Sequence, residues 1–449
     1  MSSSSLSGPS LTQKMSRLIL LQGGQRGGMI GRAGADGHGP RCVWNPRLTD
    51  MTHRERMLAA IRGQAVDCLP WAPRMDLWCI ALRARGALPD RFVGLNTAEI
   101  ADELDVACHA ARADYTLPRD PADLALRGLG FDNHPDYPYR VELGSLPMTF
   151  EHEAERYATT VRTPAGDVTI RLSMTQQMAA EGISLPFVEK YPIESPADFE
   201  PVARVFEDLV VVPTPQAYAS FRERVGQRGL ALANGCGLAA SPMHLLMHDL
   251  MAMEEFFVCY ADQRRAMEQL AARMVPLFEA LLDAVLQCEA EVVFWGANYD
   301  RDTTWPPFFI EQICPWLQRV GDRLQAAGKL LLTHTDGENR DLLEHYPSCR
   351  FDVAESVCPS PMTSLTLAQI RAGMGPNVCV WGGIPCVVLI DQATDEAEFE
   401  RHMDRAFAEL GTGCRLILAV SDNVPPDANL DRLKRIKDWI DRFGPVAQS

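Results

Sequence analysis

The feature that most constrains this chain is a series of short aliphatic runs that recur through its C-terminal half and end in polar residues. LALANG (230–235), AEVVFWG (290–296), KLLLTHTD (329–336), FDVAES (351–356), VCVWGG (378–383) and CRLILAVSD (414–422) are the runs in question. Most intervals between them are long enough for a helix, as in PMHLLMHDLMAMEEFFVCYADQRRAMEQLAARMVPLFEALLDAVLQ. Near-continuous apolar strands that alternate with helices belong to parallel sheets buried on both faces. At 449 residues the pattern predicts an α/β chain folded as a (β/α)8 TIM-type barrel. A doubly wound open sheet is the alternative, but no G-x-G-x-x-G follows any of these runs.

Ahead of the repeats, HRERMLAAIRG has the spacing of an amphipathic helix closed by Gly63. CLPWAPRM follows as a short strand that carries Arg74 out of it. Between about residues 135 and 175 the pattern changes to period two around a PAGD turn, which predicts a small β-hairpin insertion. Residues 1–50, including MSSSSLSGPS and GGQRGGMIGRAGADGHGPR, are Ser/Gly-rich and aperiodic and are expected to form a disordered tail. The tail is basic and acid-poor, as an organelle-targeting peptide would be. MTHRERMLAAIRG at Met51 nevertheless reads as a natural start, so an over-extended N-terminus is expected, with the barrel spanning residues 51–445.

The net charge of −16 argues against a nucleic-acid or anionic-membrane partner, because phosphate binding requires an excess of Lys and Arg. No apolar run approaches the roughly 20 residues of a membrane helix. Thirteen cysteines without a C-x-x-C pair exclude a zinc ribbon or thioredoxin-type motif and read as buried thiols of a cytoplasmic protein. The absence of G-x-S-x-G gives no support to a serine hydrolase.

Chemistry-bearing residues stand at the C-terminal ends of the runs: Asn234, Asn298 with Asp300, His334 with Asp336, Glu355, and Asp422 with Asn423. In a parallel barrel these ends share one mouth, where active sites are built. His334 and Asp336, at i and i+2 of an extended segment, point to the same side and can reach one ion. With Asp422 they make a donor set of one imidazole and two carboxylates, suited to zinc, manganese or ferrous iron. Glu355 is a further ligand or a general acid/base, and the three asparagines are candidate substrate-binding residues. The plainer reading is a His–Asp hydrogen bond closing a strand, with the other acids solvated; the convergence of Glu355 and Asp422 favours metal or acid–base chemistry. His244 and His248 have the i, i+4 spacing of zinc enzymes but lack the Glu of H-E-x-x-H, and are expected to face the barrel as packing residues. Cys236, Cys358 and Cys386 are also expected to pack, and WGGIP (381–385) to give close backbone approach rather than a phosphate cradle.

From Met51 to about Arg442 the sequence resembles the uroporphyrinogen decarboxylase-like superfamily, which includes cobalamin-dependent methyltransferases. The resemblance is carried by GKLLLTHTDGENRDLLEHY, FDVAESVCPSPMTSLTLAQIRAGMG, VCVWGGIPCVVLI and CRLILAVSDNVPPDANLDRLKRI. It implies a TIM-type barrel and, on the methyltransferase branch, zinc held by an H-x-C and a later G-C. Here His334 is kept, Asp336 stands at the first Cys position and Asp422 at the second. Two carboxylates in place of two thiolates make the site harder, so manganese or iron becomes an alternative to zinc. The chain lacks the R-Q-A-G-R of tetrapyrrole decarboxylases although Arg74 is present, and it lacks the D-x-H-x-x-G of corrinoid binding, DGHGPR being a near miss. The resemblance therefore implies a metal-dependent methyltransferase that passes a methyl group from a small substrate to a corrinoid on a separate protein. The alternative is a carboxy-lyase in which Arg74 binds a substrate carboxylate and Asp422 or His334 handles the proton. A ligand-binding barrel that has lost its metal is the non-enzymatic alternative.

Overall fold

The computed structural model describes residues 51–111 and 120–448. The tail expected over residues 1–50 lies outside the described residues.

The aliphatic runs form parallel strands. They are β2 (Gly229–Ala231) and β3 (Ala233–Asn234), β4 (Val292–Phe294), β5 (Leu330–His334), β6 (Val353–Val357), β7 (Cys379–Pro385) and β8 (Leu416–Ser421), preceded by a short β1 (Cys108–Ala110). β3 to β8 make a six-stranded sheet in the order β8-β7-β6-β5-β4-β3, and β1 pairs with β2 in parallel. Hydrogen bonds continue past the β8 edge. Leu418 N donates to Pro70 O and Ala72 N to Leu418 O, both at 2.9 Å, and Ala107 N donates to Trp71 O at 2.8 Å. The expected CLPWAPRM strand is thus reduced to a bridge at Trp71, seated between β8 and the residues that lead into β1.

Both faces of the sheet are buried, which is why its strands read as continuous apolar runs. Side chains alternate between the faces with period two. Leu230, Val292, Leu332, Val353, Cys379 and Ile417 share one buried cluster, together with Met57, Leu58 and Ile61 of helix α1 (His53–Ile61). Val293, Leu331, Ala354, Val380 and Leu416 face the other way into the larger cluster, which also holds helix residues such as Leu281 and Leu317. α1 starts with a reciprocal capping box between Thr52 and Glu55, and the chain leaves it through Gly63 at φ +68°.

The insertion is larger than the expected hairpin. Thr163 and Gly166 pair around the predicted turn, but the strands Met148–Glu153, Arg156–Thr163, Gly166–Ser173 and Phe187–Lys190 form one four-stranded antiparallel sheet. Tyr139–Leu143 pairs separately with Leu209–Pro213. The turn between Glu153 and Arg156 has no Gly, Pro or Asn to announce it; Ala154 takes the left-handed position at φ +51°.

Candidate functional site

The face that carries Leu332, Val353 and Cys379 continues upward into polar chemistry. Two residues on from Leu332 comes His334, from Val353 Glu355, from Cys379 Trp381, and from Ala107 His109. The register sets His334 beside Glu355 and Glu355 beside Trp381. Glu355 is 2% exposed, and a carboxylate so buried requires partners. It has two: Oε1 lies 2.9 Å from His109 Nε2, and Oε2 lies 2.5 Å from His334 Nδ1. His109 in turn rests against the Trp381 ring, with centroids 4.8 Å apart.

With Nδ1 tied to Glu355, His334 turns Nε2 toward Asp336 Oδ1 at 3.3 Å and Asp422 Oδ1 at 3.7 Å. This is the arrangement in which a carboxylate orients an imidazole for a ligand on its far nitrogen. Asp336 Oδ1 is buried and makes no hydrogen bond, so an acceptor faces the imidazole without a donor of its own. Burial would lower the His334 pKa, but the charges of Glu355 and Asp336 outweigh it and hold the ring well above its ordinary value. Burial likewise opposes ionisation of Glu355, and the His334 charge with the His109 hydrogen bond reverses that, holding the carboxyl below its ordinary range.

Arg74 closes the other side. Its Nε donates to Asp76 Oδ2 at 3.0 Å and its Nη1 to Asp422 Oδ1 at 3.2 Å. Asp422 Oδ2 accepts from Asn423 Nδ2 at 2.9 Å, and Ser356 Oγ stands 3.4 Å from Asp422 Oδ1. Four carboxylates (Asp76, Asp336, Glu355 and Asp422) therefore surround one guanidinium and two imidazoles, which leaves room for a further positive charge.

The structure thus brings His334, Asp336, Glu355, Asp422, Asn423 and Arg74 together. Asn298 is one step away: its backbone N donates to His334 O at 3.1 Å, and its side chain meets His248 at 2.9 Å. Asn234 lies at the end of β3, where its Oδ1 accepts from Tyr139 Oη at 3.3 Å and from Gly237 N at 3.2 Å. Asp300 supports the β5 loop by accepting from Glu338 N at 2.8 Å, while Glu338 accepts from Ser364 N at 2.8 Å. Cys236 and Cys358 are buried, as expected of packing residues, and Cys386 sits against Met362 with sulfurs 3.5 Å apart. His244 and His248 stay in contact but differ in their hydrogen-bond partners. His244 is buried, accepts from Ala240 N at 3.1 Å and is pushed down to about 3 by burial. His248 packs on the His244 ring, with centroids 5.9 Å apart, and also binds Asp249 and Asn298 through its two nitrogens. Sequence reasoning passed over His109 and Asp76, the partners of Glu355 and Arg74. An open cavity of about 600 Å³, lined by Met51, Arg56 and residues 223–228, lies at the N-terminal end of β2, away from these strand ends.

The profile of the uroporphyrinogen decarboxylase (URO-D) family matches residues 161–443, well over half of the chain. The chain belongs to the uroporphyrinogen decarboxylase family. A solved structure of a methyltransferase from Methanosarcina mazei is similar to this URO-D chain, with a TM-score of 0.50 and 16% identity over 88% of this chain and 99% of that one. At that identity the likeness speaks for the fold. No curated protein matches. Among the described residues, no helix of this family member is long and apolar enough to cross a membrane.

Proposed function

We propose that this chain is a (β/α)8-barrel enzyme, a metal-dependent methyltransferase that passes a methyl group from a small substrate to a corrinoid carried by a separate protein. Closure of the barrel, over residues 51–445, is supported by the hydrogen bonds that link β8, the Trp71 segment, β1 and β2 in turn. The observation that carries the functional reading is His334. Glu355 holds its Nδ1, and Nε2 faces two carboxylate oxygens, one of them buried and without a donor.

The donors fit a divalent ion by type, although among the described residues no three His, Cys, Asp or Glu side chains already form a coordination group. His334, Asp336 and Asp422 would hold the ion, zinc by resemblance and manganese or iron by the hardness of the carboxylates. Bound there, the ion supplies Lewis acidity toward a substrate oxygen. Glu355 keeps the His334 ring in one orientation and sustains the basicity of its outer nitrogen. Arg74 ties the Asp422 carboxylate to Asp76, while Asn423, bonded to Asp422, and Asn298, bonded through its backbone N to His334, are candidate substrate contacts.

The same guanidinium weighs against the carboxy-lyase alternative. A carboxylate receptor must present an uncommitted cation, whereas Arg74 meets carboxylates through both Nε and Nη1. The test combines elemental analysis with turnover. Purified protein is expected to hold about one divalent ion per chain, with loss in His334→Ala and in Asp422→Ala. It is also expected to methylate free cob(I)alamin from some member of a panel of methoxy compounds. Equal metal content in wild type and both variants would remove this ligand set.

A further inference from the structure

The segment Pro242–Leu250 changes helical form part-way. An α-helical turn over Pro242–Leu245 runs into a π-helical turn over Leu246–Leu250. Single π turns recur at functional sites, because they re-aim side chains that a regular helix would disperse. This one sets the two neighbours His248 and Asp249 against each other, with Nδ1 3.0 Å from Oδ2. Asp249 is 7% exposed, and its other oxygen accepts from Arg127 Nη1 at 2.9 Å. The far nitrogen of His248, Nε2, lies 2.9 Å from Asn298 Nδ2.

Asn298 ties this group to the site. It follows β4 at φ +61°, and its backbone N donates to His334 O, so one residue, Asn298, links the His248–Asp249 pair to the strand end that carries His334. The Arg127–Asp249 ion pair is enough to pin the segment. It does not account for an imidazole held in one orientation by a buried carboxylate, with its second nitrogen turned to a residue at the strand ends. That is the geometry of an oriented acid–base histidine.

We propose that His248, positioned by Asp249, is a further catalytic residue of this site and protonates the substrate oxygen that loses its methyl group. The inference rests on the methyl-transfer reading. In the step, the carbon–oxygen bond of a methyl ether breaks and its electron pair stays on oxygen. The methyl group goes to an external nucleophile of the cobalt(I) corrinoid class, which supplies the electron pair of the new bond. The doubly protonated His248 ring gives its Nε2 proton to the oxygen, so the product leaves as a neutral alcohol and the ring remains as the Nδ1–H tautomer on Asp249. Asn298 presents its amide oxygen to the Nε2 proton before transfer and its amide nitrogen to the lone pair afterwards, the two ends of the amide being interchangeable by rotation. Solvent at the partly exposed ring returns the proton.

The experiment compares wild type, His248→Gln and Asp249→Asn, with free cob(I)alamin as acceptor and two methyl donors. One is an alkyl methyl ether, whose alkoxide must be protonated to leave. The other is a nitro-substituted aryl methyl ether, whose phenolate leaves without a proton. His248→Gln is expected to lose about 10²–10⁴-fold on the alkyl ether and distinctly less on the aryl ether, with Asp249→Asn showing the same pattern more weakly. Histidine-selective NMR of the wild type is expected to show a downfield Nδ1 proton that disappears in His248→Gln and moves in Asp249→Asn. Circular dichroism on each variant separates these effects from misfolding. Equal losses on both ethers, or no such proton, would overturn the role of His248 and leave methyl transfer standing. A wild type inactive with every methyl donor would overturn the methyl-transfer reading, and this role with it.

Discussion

Replacing Glu355 by Gln tests the centre of the site at its most buried point. The Glu355 carboxylate is 2% exposed and accepts from His109 Nε2 at 2.9 Å and from His334 Nδ1 at 2.5 Å. Hydrogen bonds to a charged partner contribute about 1.5–3 kcal/mol each, and neutral ones about 0.5–1.5. Gln keeps the shape and one acceptor, but sets an NH₂ donor against an imidazole that was itself donating. The expected cost is about 2–4 kcal/mol, and Glu355→Ala, which strands both imidazoles, should cost about 3–5. The pH dependence has a definite sign. His334 has a raised folded pKa, so its contribution is complete below its ordinary value of 6.5 and is lost as pH rises through the folded value. Glu355 has a lowered folded pKa, so its contribution is complete above its ordinary 4.5 and is lost as pH falls toward the folded value. The difference between wild type and Glu355→Gln should therefore be largest between about pH 4.5 and 6.5. Urea unfolding of metal-free protein across that range measures it. A difference below about 0.5 kcal/mol, flat with pH, would refute the assignment of Glu355 as the buried charge between two imidazoles.

Three further outcomes are expected. Asp336→Cys combined with Asp422→Cys should move metal preference toward zinc, while the wild type accepts manganese or ferrous iron more readily, as read from metal competition at fixed pH; an unchanged order would place neither aspartate on the ion. Arg74→Lys keeps the charge but not the fork that reaches Asp76 and Asp422 together, so steady-state kinetics should show kcat falling about tenfold or more with little change in KM; a rise in KM alone would instead mark Arg74 as a carboxylate receptor. Gly337→Ala places a Cβ at φ +95° and 3.0 Å from Asp300 Oδ2, and should cost about 1–3 kcal/mol in denaturant unfolding; stability equal to wild type would show that the β5 loop gives way there.

The strands were legible because a two-faced environment keeps polar residues out of all but the C-terminal part of each strand: β5 to β8 coincide with the runs that carry His334, Glu355, WGG and Asp422 toward that end. The polar ends were legible for the complementary reason, since an imidazole or carboxylate that continues an apolar face by i+2 has to be bound to something. What it is bound to was not legible. His109 sits on a three-residue strand with no aliphatic run around it, and only the register of β1 on β2 brings it over Glu355. Asp76 stands in the first turn of the helix Asp76–Ala84, where an acid needs no explanation beyond the helix dipole. Asp249 was hidden by the assumption of regular helix. At 3.6 residues per turn His248 and Asp249 would diverge, whereas the π turn keeps the His248 ring against His244 and still gives His248 to Asp249. The proposed acid–base partner of the strand-end site therefore lies on a helix whose register the sequence does not encode as a repeat, linked to it by one residue, Asn298.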